Sequence, residues 1–152
     1  MQKFSELPYT RPDIAAAVEE YKRYSEAFKA AKTFEEAKKV FLDAEKLDTH
    51  LSTIASLCSI RNTMNTTDEF YEAEMAYLNE NLPNLIPAEK AMKEDIVNGP
   101  FRADFEKEYG TLMFLNAEIA LKTFSPEIIP ELQKENDLTS EYDKLIASAQ
   151  IP

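Results

Sequence analysis

The stretch 33–64, TFEEAKKVFLDAEKLDTHLSTIASLCSIRNTM, decides the fold of this chain. It begins with Thr33 and Glu36, which form the Thr-x-x-Glu pair of a helix capping box. Behind them, small and apolar residues recur at alternating intervals of three and four, which is the spacing of a buried seam between packed helices. The pattern predicts one helix to about Met64, ended by the polar cluster Asn65-Thr66-Thr67. The predicted buried face consists of Ala37, Val40, Ala44, Leu47, Leu51, Ile54 and Cys58.

A shorter helical pattern precedes the long one. Residues 1–9 are expected to be extended, because a proline at position 8 disfavours helix before it. Thr10 is expected to cap the first helix, with Asp13 near its positive end. Apolar residues every three or four positions then predict a helix to about Lys32.

A third pattern begins near Asp68. Pro83 and Pro87 interrupt it, so the helix is expected to kink there or to divide into two helices. The sequence Asn98-Gly99-Pro100 is expected to end it, with the glycine in the left-handed conformation of a helix cap. The predicted apolar face consists of Phe70, Tyr71, Met75, Leu78 and Leu82.

The remaining third of the chain also reads as helices. A short helix is predicted over 101–109, and the next one, around 112–121, is apolar on most sides and is expected to be the most buried element. Ser125-Pro126-Glu127 has the composition of a helix start and predicts a last helix toward Ala149. The chain is therefore predicted to be all-α, an antiparallel bundle of five to six helices with long central helices, in a single domain over 1–152.

Composition limits the possible functions. The 152 residues carry a formal net charge of −11, which disfavours binding to nucleic-acid phosphates or to anionic membranes. No apolar stretch approaches the length of about 20 residues that spans a bilayer, and the N-terminus lacks a secretory signal. The single cysteine rules out an internal disulfide. We expect no nucleic-acid partner, no membrane association and a cytoplasmic location.

Few residues are candidates for chemistry. His50 is the only histidine, and the HExxH motif of zinc peptidases is absent. A pairing of His50 with Cys58 is rejected, since eight residues of helix separate the two backbones by about 12 Å. Cys58 is expected to be a buried apolar residue, and His50 a surface or interface residue. No catalytic, cofactor-binding or metal-ligating residue is therefore assigned.

One acidic cluster leaves an alternative open. The stretch TTDEFYEAE contains Asp68, Glu69, Glu72 and Glu74, and carboxylates on one helix face can bind a cation. The favoured interpretation is a helix start, because acids in the first turns of a helix are stabilised by its positive dipole end.

Several stretches, taken together and in order, resemble the N-terminal region of bacterial oligoendopeptidase F-like enzymes, which are zinc oligopeptidases related to thimet oligopeptidase. The most distinctive are Arg61 followed by Thr67-Asp68-Glu69-Phe70-Tyr71, and Phe124-Ser125-Pro126-Glu127. The stretches that carry the resemblance are FSELPYTRPDI, SLCSIRNTMNTTDEFYEAE, NGPFRADFEKEYG and LKTFSPEIIPELQKENDLTSEYDKLIASAQI.

The resemblance implies a function that this chain does not perform alone. In the family, a larger C-terminal catalytic domain carries HExxH and a zinc ion, and the N-terminal helices form a wall of a channel for short peptides. It implies the catalytic domain and short peptides as partners, zinc in the full-length enzyme, and an inactive isolated chain. The ending LIASAQIP is interpreted as a cut in a longer chain, with Pro152 at the break.

Two other expectations follow. An isolated domain would expose apolar surface that the full enzyme covers, so self-association in concentrated solution is expected. The alternative function is a stand-alone helical protein-interaction module without catalytic activity, since the residues show a helical bundle and no catalytic motif.

Overall fold

The computed structural model describes residues 3–123 and 125–149, and within these ranges the chain is all-α, as predicted. A short 3-10 turn at Phe4–Glu6 precedes the first α-helix, and two others, at Leu82–Leu85 and Pro126–Ile128, lie between later α-helices. The helices are α1 (Ile14–Ala30), α2 (Phe34–Met64), α3 (Glu69–Asn81), α4 (Ile86–Asn98), α5 (Arg102–Tyr109), α6 (Thr111–Thr123) and α7 (Ile129–Ser148).

The long helix α2 is confirmed with both of its predicted ends. The Thr33 side chain accepts a hydrogen bond from the Glu36 backbone N–H at 3.3 Å, and the Glu36 carboxylate caps the Lys32 N–H at 2.7 Å. At the other end, Asn65 Oδ1 accepts from the backbone N–H of Thr67 at 3.3 Å. This side chain replaces the helical hydrogen bond and stops α2 where the sequence predicts.

The start of the chain differs from the prediction. Residues 4–6 form a 3-10 turn rather than extended chain, and Asp13, not Thr10, caps α1, accepting from the Ala16 N–H at 2.9 Å. The helix begins later because the segment before it is held elsewhere: the Pro12 carbonyl accepts a hydrogen bond from the Tyr77 hydroxyl at 2.8 Å.

The third predicted helix is divided into two helices, α3 and α4, rather than being one kinked helix. Its two prolines fall at the first positions of the 3-10 turn Leu82–Leu85 and of α4, where a missing N–H is tolerated. The prediction for Gly99 is wrong, because its φ is −74° and its ψ is 163°, which is ordinary extended backbone. Glycine is required there by space: a Cβ would lie 2.5 Å from the Asp95 carbonyl oxygen. Gly110, after α5, is the glycine with positive φ, at 87°.

The core lies between α1, α2, α4 and α5, with Phe105 of the short helix at its centre. The Phe105 side chain is 0% exposed and packs against four other rings at centroid distances of 5.0–6.1 Å. The α2 face is buried as its periodicity predicts, Val40 and Leu47 partly so. The four rings belong to Phe28, Phe34, Phe41 and Tyr109.

The prediction that α6 is the most buried helix is wrong. Its only buried residue is Phe114, which packs on the core, while the opposite side of the helix remains exposed. In α7, all of which lies within the described ranges, no residue is buried. No helix that the structure describes combines the length and apolar character needed to span a bilayer.

Candidate functional site

The most buried charged group of the described chain is Glu74, on the inner side of α3. Its carboxylate accepts hydrogen bonds from the Tyr9 hydroxyl at 2.8 Å and from Arg11 Nε at 3.0 Å, and a second Arg11 nitrogen binds the same carboxylate. These hydrogen bonds, led by those from Arg11, lower the pKa of Glu74 and keep it ionised. The group fastens the segment before α1 to α3 and leaves no carboxylate oxygen free for a ligand.

Arg61, at the end of α2, makes a second link to the same segment. Its guanidinium donates to the Tyr71 hydroxyl at 2.6 Å and to the backbone carbonyl oxygens of Leu7 at 2.5 Å and Phe4 at 3.3 Å. A planar group with five donors suits this fork of acceptors, which a lysine could not satisfy. Arg61 therefore orders residues 4–7 and has a structural role.

The acidic cluster does not form a metal site among the described residues. Asp68 caps α3 by accepting from the Phe70 and Tyr71 N–H groups, Glu72 forms an ion pair with Lys144, and Glu74 is held by Arg11. Glu69 is exposed, and the other three carboxylates each have a different partner. No group of three or more histidine, cysteine or acidic side chains in the described ranges is placed to hold a metal ion.

The zinc that the resemblance implies does not fit these residues either. Zinc sites use three or four convergent histidine, cysteine or carboxylate ligands. His50 is exposed on α2, and Cys58 is buried at 0% exposure beside the Tyr71 carbonyl. Burial raises the pKa of the Cys58 thiol and keeps it neutral, and its buried position is the one that the sequence predicts.

A groove lies between α2 and α4 and continues toward α6. One part has a volume of about 430 Å³ and apolar walls that include Phe41 and Phe114. The adjoining part, of about 260 Å³, is lined by Glu45, Asp48 and Glu89. Burial, followed by repulsion from Asp48, raises the pKa of Glu45, and burial also raises that of Glu89. Lys93, which lines both parts of the groove, acts in the opposite direction and lowers both pKa values.

The exposed apolar side chains of α6 and α7 are the main unexplained feature of the surface. On α6 they recur at intervals of three and four, and on α7 at four, three and one, so each set follows one side of its helix. The α6 stripe consists of Leu112, Leu115 and Ile119, which are 65%, 54% and 52% exposed. The α7 stripe consists of Leu138, Tyr142, Leu145 and Ile146, which are 55%, 62%, 67% and 57% exposed.

The fold and these groups define an all-α domain whose buried polar side chains hold its own helices together and whose apolar stripes remain uncovered. The chain belongs to the Peptidase M3 N-terminal domain family, whose model matches residues 4–124. The resemblance to the N-terminal region of oligoendopeptidases, inferred from the sequence, is thereby confirmed. Among curated proteins, none matches the chain.

Solved structures support the same assignment. A protein from Bacillus anthracis named as an oligoendopeptidase F is 36% identical to this chain, with a TM-score of 0.95. The match covers 100% of this chain and 28% of the Bacillus anthracis chain. A second oligoendopeptidase F is 40% identical, with a TM-score of 0.95, covering 99% and 27%. PZ peptidase A, solved with an inhibitor, is 39% identical, with a TM-score of 0.93, covering 98% and 26%. The chain thus spans little more than a quarter of the length of these peptidases.

The residues that carried the resemblance have structural roles where the structure describes them. Arg61 and Asp68 hold the chain around α2 and α3, and Ser125 precedes the 3-10 turn that leads into α7. Phe124, Ile151 and Pro152 lie outside the described residues.

Sequence reasoning missed the role of Glu74, although a signal for it was present. Glu74 lies four residues after Phe70 and four before Leu78, so it stands within the apolar stripe of α3. A single acid on such a stripe points to a buried ion pair, and the stripe itself is shifted: Phe70, predicted to be inside, is 55% exposed, while Leu78 is buried.

Proposed function

We propose that this chain is the N-terminal substrate-channel domain of a zinc-dependent oligoendopeptidase that hydrolyses short peptides. In this proposal the zinc ion and the catalytic groups belong to a C-terminal catalytic domain of the same protein, and the protein acts in the cytoplasm. The chain itself binds no zinc and cleaves no peptide.

The observation that carries the proposal is the uncovered apolar surface of a domain from a peptidase family. Seven large side chains of the α6 and α7 stripes are more than half exposed. Complete burial of such a side chain contributes about 1.5–3 kcal/mol relative to full exposure, and roughly half of that where it is already half covered, so a partner that covers either stripe still gains several kcal/mol. Apolar surface of this extent on a soluble chain is typical of an interface.

The helical bundle is suited to form one wall of a substrate channel. The buried Glu74 holds the segment before α1 against α3. Of the residues considered for chemistry, Asp68 caps α3 and Cys58 is buried. The chain can contribute a surface beside a reaction centre, but its described residues supply no group of three or more side chains that could hold a metal ion. Channel-facing surfaces would act by excluding folded proteins and admitting extended peptides.

The test is to capture the native protein from source cells with an antibody against this chain. A band several times heavier than 17.4 kDa, with peptidase activity that a chelator removes, is the expected result. A native band at 17.4 kDa without peptidase activity would refute the proposal and support a stand-alone interaction module.

A second measurement uses the purified chain. It is expected not to cleave a fluorogenic peptide or to bind zinc in calorimetry. It is expected to self-associate in light scattering at high concentration, in salt that screens its net charge of −11. Hydrolysis that a chelator abolishes would show that the chain contains catalytic groups of its own. A strictly monomeric chain at high concentration would argue against a large uncovered surface.

A further inference from the structure

We infer that α7 is a two-sided joining helix: its polar side clasps α3, and its apolar stripe is covered by an apolar, basic-rimmed surface of the peptidase's catalytic part. This inference rests on the proposed function and adds the surface, the partner surface's chemistry and the way the two parts are held together. It concerns α7 alone and leaves the α6 stripe aside.

The attachment of α7 to the rest of the chain is largely polar. The Asn79 side chain donates from α3 to the Ser140 hydroxyl at 2.9 Å and to the Asn136 carbonyl at 3.3 Å. Gln133 donates to the Glu80 carbonyl at 2.5 Å, and an exposed ion pair joins Lys144 to Glu72. Partly exposed hydrogen bonds and ion pairs of this kind each contribute little to stability. These polar contacts between α7 and α3 therefore position α7 without burying it.

The opposite side of α7 has the pattern of a core-facing helix. Leu138, Tyr142, Leu145 and Ile146 are spaced as on one face of a helix, yet all are more than half exposed. In α1, the same kind of stripe is 3–4% exposed at Ile14, Tyr21 and Phe28. A helix with an amphipathic pattern and no buried residue lacks the packing that stabilises helices in folded proteins.

The comparisons indicate which partner covers this stripe. The family model for the N-terminal domain ends at residue 124, before α7 begins. The solved peptidases nevertheless match 98–100% of this chain at TM-scores of 0.93–0.95, so their chains include a helix placed like α7. Since this chain covers 26–28% of theirs, the remainder of those chains is the available cover.

The charge of α7 specifies the partner surface. Ile129–Ser148 contains five acidic and two basic residues, and one of the basic residues, Lys144, already pairs with Glu72 of α3. A second copy of this chain, with its net charge of −11, would bring like charges to the rim. An apolar surface bordered by lysines or arginines fits better, and a segment of the catalytic part is the occupant that meets this requirement.

Hydrogen exchange tests the inference on the native protein and on the 152-residue chain. Amides of α7 are expected to exchange at least about tenfold faster in the isolated chain than in the native protein, because covering the stripe supplies the missing packing. Amides of α2 are expected to be protected equally in both. Equal protection of α7 in the two forms would overturn the inference.

Variants of the full-length protein give a second readout. Leu138→Ser with Leu145→Ser is expected to lose the α7 protection, whereas the control Leu42→Ser with Ile60→Ser, at exposed positions of α2, is expected to retain it. Wild-type protection in the α7 variant would refute the joining role while leaving a heavy, active peptidase, and hence the proposed function, intact. A native protein of 17.4 kDa would instead refute the proposed function itself.

Discussion

Replacing Glu74 with alanine is expected to lower the free energy of unfolding by about 2–4 kcal/mol. The carboxylate is the point at which the segment before α1 meets α3, and its side chain is 5% exposed. Truncation leaves the Tyr9 hydroxyl without its acceptor and releases Arg11 from its partner. Both the polar links and the packing around them are lost together.

The magnitude follows from the individual contacts. The bond from the Tyr9 hydroxyl to an ionised acceptor contributes about 1.5–3 kcal/mol, and the methylene removed from Glu74 contributes about 0.8 kcal/mol. Nothing is added for Arg11, whose side chain is 51% exposed and can regain water. The total is a large fraction of the stability of a domain, which is typically about 5–15 kcal/mol.

The assay is urea unfolding of the purified chain at neutral pH, followed by circular dichroism. Glu72→Ala is the matched control, since the Glu72 side chain lies on the same helix, is 47% exposed and pairs only at the surface with Lys144. Its expected effect is within about 0.5 kcal/mol. If Glu74→Ala changed the free energy of unfolding by no more than this control, the argument from burial would be refuted.

The same group predicts a pH dependence with a definite sign. Because the folded state lowers the pKa of Glu74, its contribution to stability is fully present above its unfolded value of about 4.3 and is lost as the pH falls through the lowered value. The stability difference between the wild type and Glu74→Gln should therefore shrink below about pH 4. A difference that grew on acidification would contradict the assigned direction.

Four further changes test the fold. Phe105→Ala should cost about 3–5 kcal/mol in urea unfolding, because a fully buried ring is removed. Gly99→Ala should cost about 1–3 kcal/mol through the clash with the Asp95 carbonyl, and Gly110→Ala a similar amount through backbone strain alone; an unchanged melting temperature in either would contradict its cause. Glu89→Gln should raise stability at pH 7, since burial outweighs the attraction of Lys93 and disfavours the charge of Glu89; a loss of stability would contradict that direction.

The sequence predicts best those features that depend on neighbouring residues. The start of α2 is specified by Thr33 and Glu36, and its end by Asn65 and Thr67, all within a few positions of the bonds they make. Helix type and the buried face of α2 follow from the spacing of apolar residues alone. These features needed no knowledge of tertiary structure.

The errors occur where a distant residue decides the local conformation. The start of α1 moves from Thr10 to Asp13 because Arg11 and Tyr9 reach Glu74, more than sixty positions away along the chain. The sequence predicts the left-handed conformation of a helix cap for Gly99, but the constraint there is the close approach of the Asp95 carbonyl and the Phe28 ring. The acid within the apolar stripe of α3 indicates a buried ion pair but not its partner, and the crowding at Gly99 leaves no local pattern in the sequence.

The misassigned burial of α6 has a different cause. The sequence shows that Leu112, Leu115 and Ile119 require an apolar environment, but it does not show which molecule supplies it. In this chain the core buries Phe114 of that helix and partly buries Met113, Ala117 and Leu121. The opposite stripe of α6 stays uncovered, as does the apolar stripe of α7. Apolar composition on a helix therefore predicts burial in the complete assembly rather than within one domain. The wrongly predicted burial of α6 thus points to the same exposed stripes on which the proposal of a covering partner rests.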